Sequence, residues 1–181
     1  MSALNLLGYQ AIWCATVYGA ANDRWYLGLA LLLPFALWQI GRSRWPRADL
    51  ALVLLAAVLG FAVDTAFAAS GWLRYASPLP AETLAPFWIL AMWMAFALTL
   101  NHSLAFLKRR LVVATALGAL SGPFAYWIAD RAWSAIAIGE PAVRTLLALA
   151  IAWGALTPLL LAIATRLALR EVSLRSARAT P

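Results

Sequence analysis

Asp64 lies deep within the apolar run Leu59-Gly60-Phe61-Ala62-Val63-Asp64-Thr65-Ala66-Phe67. A central Asp costs roughly 2.5–3.5 kcal/mol on membrane-insertion scales, so its carboxyl must face the interior of a helix bundle. Gly60 is four residues away on the same helical face and would let a neighbouring element come close while Asp64 finds donors across the interface. Two uses stay open: a carboxyl satisfied by Tyr, Trp or Thr donors, or an intramembrane functional group. The second polar signal is Thr99-Leu100-Asn101-His102-Ser103, which holds the chain's single histidine. On a helix, Asn101 and His102 serve adjoining faces, and Ser103 can bond back to the carbonyl of Thr99. One imidazole suits a proton relay, a ligand contact, an axial haem ligand or a simple packing hydrogen bond. A bis-histidine haem or a histidine-rich metal site is excluded by the count.

No motif names a reaction. A hydrolase triad is absent, and the single Cys14 excludes an intramolecular disulfide and any cysteine-based metal cage. The sequence therefore leads to an expectation of no cofactor and no metal, and leaves open whether the protein is an enzyme.

The elements that must position these residues are six apolar segments: 3–20, 26–41, 49–69, 85–107, 111–128 and 145–167. Most lie near the roughly 20 residues that a helix needs to cross a hydrocarbon core. With 65% hydrophobic and 12% charged residues, the chain cannot clothe a core of this size in a water-facing surface. The fold class is all-α, a polytopic transmembrane bundle of six helices. Its domain occupies residues 1–170, and a basic, disordered tail is expected at 171–181.

The net charge of +7 sits at helix ends. Arg42, Arg44, Arg47, Lys108, Arg109, Arg110, Arg166, Arg170, Arg175 and Arg178 occupy alternate connections and the C-terminus, whereas Arg24, Arg74, Arg131 and Arg144 occupy the others. The positive-inside rule places the first group, with both termini, in the cytoplasm. A five-helix alternative with segment two re-entrant at Pro34 would strand one arginine-rich loop outside. The basic face suits anionic headgroups, at about 1 kcal/mol per cation near the surface, so membrane lipids are the expected partners and nucleic acid is not. A membrane-protein partner or homo-oligomer is compatible with this surface.

Depth separates the two polar signals. Asp64 stands about 22 Å from the inner end of segment three and His102 about 8 Å from the inner end of segment four, at 1.5 Å per residue. Beside His102 the pattern predicts Asn5, Tyr9 and Gln10; beside Asp64 it predicts Tyr126 and Trp93. The expected polar cavity thus draws on Asp64, Asn101, His102, Tyr126, Tyr9, Gln10 and Trp93. Gly118-x-x-x-Gly122 ahead of Pro123 is a close-packing device, and Pro123 and Pro158 suggest irregular helices. Trp25, Trp45, Trp72, Trp88 and Trp133 read as interfacial anchors, while Trp13, Trp93, Trp127 and Trp153 lie deeper. In the loop 129–143, the stretch Ala132 to Ile138 is expected to form a short interfacial helix.

Asn5-x-x-x-Tyr9-Gln10 with Gly19-Ala20, Gly60-x-x-x-Asp64, Pro86-x-Trp88, Trp93-x-x-Phe96-x-x-Thr99-Leu100-Asn101-His102-Ser103 and Gly118-x-x-x-Gly122-Pro123-x-x-Tyr126 resemble a bacterial multi-pass membrane family, the domain of unknown function DUF2878. The resemblance implies an inner-membrane protein without an established activity. It also implies a link to lipid chemistry, because members are encoded near enzymes that modify fatty acyl chains. Two functions follow as expectations: a lipid-associated accessory subunit or enzyme handling acyl chains, and alternatively a small solute or proton-coupled carrier using Asp64. A lateral, greasy opening would mark the first; a polar path joining the two polar layers would mark the second.

Overall fold

The structure, a computed structural model, describes residues 2–179. It is an all-α bundle of six helices: α1 (Ser2–Ala21), α2 (Leu27–Gly41), α3 (Pro46–Ala69), α4 (Phe87–Leu100), α5 (Leu111–Arg131) and α6 (Ala142–Ala179). A 3-10 turn covers Ala105–Arg109, and two short strands, β1 (Leu73–Tyr75) and β2 (Ile136–Ile138), close the opposite end. Among the described residues, α3, α5 and α6 are long and apolar enough to cross a membrane, whereas α2 and α4 are shorter apolar helices.

The most apolar helix takes the centre. α4 packs against α1, α2, α3 and α6, and it is buried continuously from Ala95 to Leu100 as well as at Trp88, Ile89, Ala91 and Trp93. A helix hydrophobic all round belongs in such a position. Its end falls seven residues short of the expected 107. The Thr99 hydroxyl bonds back to the Phe96 carbonyl, while the Thr99 carbonyl accepts the N–H groups of His102 and Leu104. The chain leaves the helix there, so Asn101, His102 and Ser103 stand in a turn, and Ser103 does not bond back to Thr99 as a helical reading required.

α5 and α6 form a tight hairpin. A methyl group at Gly118 would run into the backbone of Trp153, and one at Gly122 into its indole. The small-xxx-small spacing thus allows the backbones to approach closely. Pro34, Pro123 and Pro158 lie inside α2, α5 and α6 without ending them.

The loop after α5 departs from expectation. Ile136–Ile138 is a strand paired antiparallel with β1, with Leu73 opposite Ile138 and Tyr75 opposite Ile136. Ser134, at a left-handed φ of 54°, stops a helix from continuing. Leu73, Tyr75 and Ile136 then point inward with the period of two that a strand provides. The Trp133 ring meets Tyr18 edge-on at 5.9 Å and ties this loop to α1.

The basic tail is a direct extension of α6. α6 continues as a helix through Ala179, and only the last two residues of the expected disordered segment lie outside the described residues. Its anchor is Glu171, almost fully buried, whose Oε2 accepts the Ala48 N–H at 2.9 Å while Oε1 holds Arg175 at 2.6 Å. Ala48 sits in the first turn of α3, where backbone N–H groups lack helical partners, so Glu171 caps α3 from across the bundle.

Candidate functional site

Three features converge on the bundle: a buried carboxylate, a lateral cavity and a polar network at the arginine-rich end. Asp64 has no solvent exposure. Its Oδ1 accepts the hydroxyls of Tyr75 at 2.7 Å and Tyr126 at 2.5 Å, and its Oδ2 accepts the Trp93 indole N–H at 2.7 Å. The donors come from β1, α5 and α4, so one carboxyl fastens three elements to α3. Gly60 makes this possible, because a methyl there would overlap the Trp93 ring. Burial, followed by the charge of Asp64, pushes the Tyr75 phenol well above its ordinary pKa and keeps it a donor.

In front of that wall lies a cavity of about 340 Å³, within the size range of ordinary ligand pockets. α1 contributes Leu6, Tyr9, Gln10 and Trp13; α4 contributes Met92, Trp93, Phe96 and Thr99. Ser121, Gly122, Phe124, Ala125, Tyr126, Ile128 and Ala129 come from α5, Trp153 from α6, and Leu104 and Ile136 close the two ends. α1 packs on α2 and α4, whereas α5 packs on α6 and β2. The mouth therefore lies between α1 and α5, where Leu6, Gln10, Ser121 and Phe124 are themselves exposed. Trp153 stacks on Trp93 with centroids 4.5 Å apart, and Phe96 meets Trp153 edge-on at 5.4 Å. Asp64 stands behind this wall and not on it: it fixes Trp93 and Tyr126, and they face the space.

The third feature gathers around an acid that sequence reasoning read only as the start of segment three. Asp49, buried in the first turn of α3, accepts the Asn101 amide N–H at 2.6 Å and pairs with His102 Nε2 at 2.9 Å. With Asp49 ionised, Nε2 carries the proton. Lys108 Nζ donates to Asn101 Oδ1 at 2.5 Å, and its cation lies 5.8 Å from the Trp45 ring centroid. Partial burial lowers the Lys108 pKa, and the nearby charge of Asp49 opposes that shift. Asn5 completes the network: its amide nitrogen donates to Gln39 at 2.9 Å and to the Leu98 carbonyl at 3.0 Å, while its oxygen accepts the Ser103 hydroxyl at 2.6 Å. These bonds join α1, α2, α3 and the turn after α4.

The structure therefore brings Trp93 and Tyr126 to Asp64, and Asn5 to Ser103. It does not bring Tyr9 and Gln10 to His102; they line the lateral cavity, and neither Asn101 nor His102 does. Asp49 and Tyr75 were missed as partners. An acid in a first helical turn reads as a dipole partner, and Tyr75 reaches Asp64 only through the strand pairing. Trp127, grouped by sequence with the deeper tryptophans, is exposed and stacks on Phe124. Among the described residues no three His, Cys, Asp or Glu side chains form a candidate metal site.

No curated protein and no solved structure matches the chain. The sequence model of the family described as a protein of unknown function, DUF2878, matches residues 2–159, and the chain belongs to that family.

Proposed function

We propose that this is a multi-pass protein of the bacterial inner membrane, with both termini cytoplasmic, that takes a lipid acyl chain into the lateral cavity as an accessory subunit or enzyme of acyl-chain metabolism. The observation that carries the reading is the cavity's position: it is walled by aromatic and aliphatic side chains and its mouth lies between two apolar helices. A chain could enter from the bilayer without crossing water. The arginine-rich end, with Arg42, Arg44, Arg47, Arg109 and Arg110 exposed, would rest against anionic headgroups.

A carrier coupled through Asp64 has less support. A coupling carboxyl must meet its ion, whereas Asp64 is sealed behind Trp93, Tyr75 and Tyr126 with both oxygens engaged. The Asp49–His102 network forms a separate polar layer, and the intervening cavity is largely apolar.

Native mass spectrometry of the protein released from membrane-derived nanodiscs tests the reading. The wild type should retain one lipid, and Ala125→Trp, which fills the cavity from α5, should release it while leaving the protein monodisperse. Equal retention by the two proteins would remove the cavity as the binding site.

A further inference from the structure

The cavity is apolar but not uniformly so. Four groups on its wall make no side-chain hydrogen bond among the described residues: the Tyr9 hydroxyl, the Gln10 amide, the Ser121 hydroxyl and the Trp153 indole N–H. They come from α1, α5 and α6. Gln10 lies about 12 Å along α1 from Ser2 and Ser121 about 15 Å along α5 from Leu111, at 1.5 Å per residue. Both helices start at the arginine-rich end, so these groups cluster near mid-depth of a hydrocarbon layer roughly 30 Å thick. Water is scarce at that depth, and of the four groups the Trp153 N–H is a buried donor without a partner, an unmade hydrogen bond that costs about 1–3 kcal/mol.

Trp153 cannot rotate away to find a partner. Its ring is stacked on Trp93 and pressed against the bare Cα of Gly122, and Trp93 is itself held by Asp64. The N–H faces the Tyr126 oxygen without reaching hydrogen-bond geometry. Tyr126 donates its own proton to Asp64, which leaves its oxygen as an acceptor at the cavity wall. Donors and acceptors thus converge where a plain hydrocarbon chain has nothing to offer. A plain chain also gains little by leaving lipid for a protein cavity, since lipid tails are as apolar as leucine. Selection must come from the polar groups.

We infer that the cavity selects a lipid chain bearing an oxygen substituent, a hydroxyl or carbonyl, part-way along its hydrocarbon. This rests on the acyl-chain reading above and specifies its ligand class. Asp64 acts here as a positioning residue, because it sets Trp93 and Tyr126, and through Trp93 the indole of Trp153.

The test is competition on the full-length protein in nanodiscs. Stearic acid and mid-chain hydroxystearic acid each compete against a diazirine-bearing acyl chain, with adduct formation read by intact mass. The hydroxylated acid should compete about tenfold better, the equivalent of one or two net hydrogen bonds. Tyr9→Phe combined with Gln10→Leu should narrow the preference for the hydroxylated acid, with unchanged thermal unfolding and size-exclusion recovery showing that the variant is folded. Equal competition in the wild type overturns this inference and leaves the acyl-chain reading standing. A preference that survives undiminished in the double variant overturns the assignment to Tyr9 and Gln10. If neither acid competes, the acyl-chain reading falls too.

Discussion

Asp64→Leu should be the most damaging single substitution in the bundle, lowering stability by at least about 3 kcal/mol, because three buried donors lose their acceptor and each orphaned group costs about 1–3 kcal/mol. The donors have no alternative. Trp93 is pinned by its stack on Trp153, Tyr126 is buried on α5, and Tyr75 is fixed by strand pairing. Asp64→Asn should cost less, since its carbonyl can still accept both tyrosine hydroxyls while its amide meets the Trp93 N–H donor to donor. Thermal unfolding in detergent, followed by size-exclusion recovery, should rank wild type above Asn and Asn above Leu. Leu as stable as Asn would show that the three hydrogen bonds contribute little.

Gly60→Ala is expected to approach that loss through a single methyl group. Overpacking a dense core costs typically about 1–3 kcal/mol and sometimes more, and here the overlapped atoms are the pyrrole edge of Trp93. That ring cannot yield, because its N–H is held by Asp64 and its face lies on Trp153. The displaced indoles are cavity wall, so lipid retention should fall together with stability. Gly41→Ala is the matched control, since nothing lies within 4 Å of a methyl there. It should be neutral or gain up to about 1 kcal/mol by restricting the unfolded chain. A Gly60→Ala protein that melts with the control would mean that Trp93 has room to move.

The six helices were legible because their apolar content is extreme and their boundaries carry arginine or proline. The surroundings of Asp64 were legible in part. Burial cost demanded donors, helical depth pointed to Tyr126 and Trp93, and Gly60 shared the face that admits Trp93. Tyr75 was hidden because its approach depends on a two-stranded pairing between distant loops, and neither strand is long enough to announce itself by periodicity. Asp49 was hidden for a different reason. At a helix start an acid needs no special explanation, and its link to Asn101 and His102 arises only because α4 ends early and turns those side chains back toward α3. Glu171 looked like part of a soluble charged tail, although its carboxylate reaches the N-terminus of α3. The placement of Tyr9 and Gln10 on the lateral cavity required knowing that α1 packs on α2 and α4 while α5 packs on α6, a relation between helices that no local pattern carries.

The most direct measurement of the central claim is photo-crosslinking with an acyl chain carrying a diazirine, in nanodiscs, followed by peptide mapping. Occupation of the lateral cavity predicts adducts concentrated on Leu6, Met92, Phe96 and Phe124, which line it. Adducts spread over outward-facing positions such as Val58, Val112 and Ile151, with none on Met92 or Phe96, would contradict it.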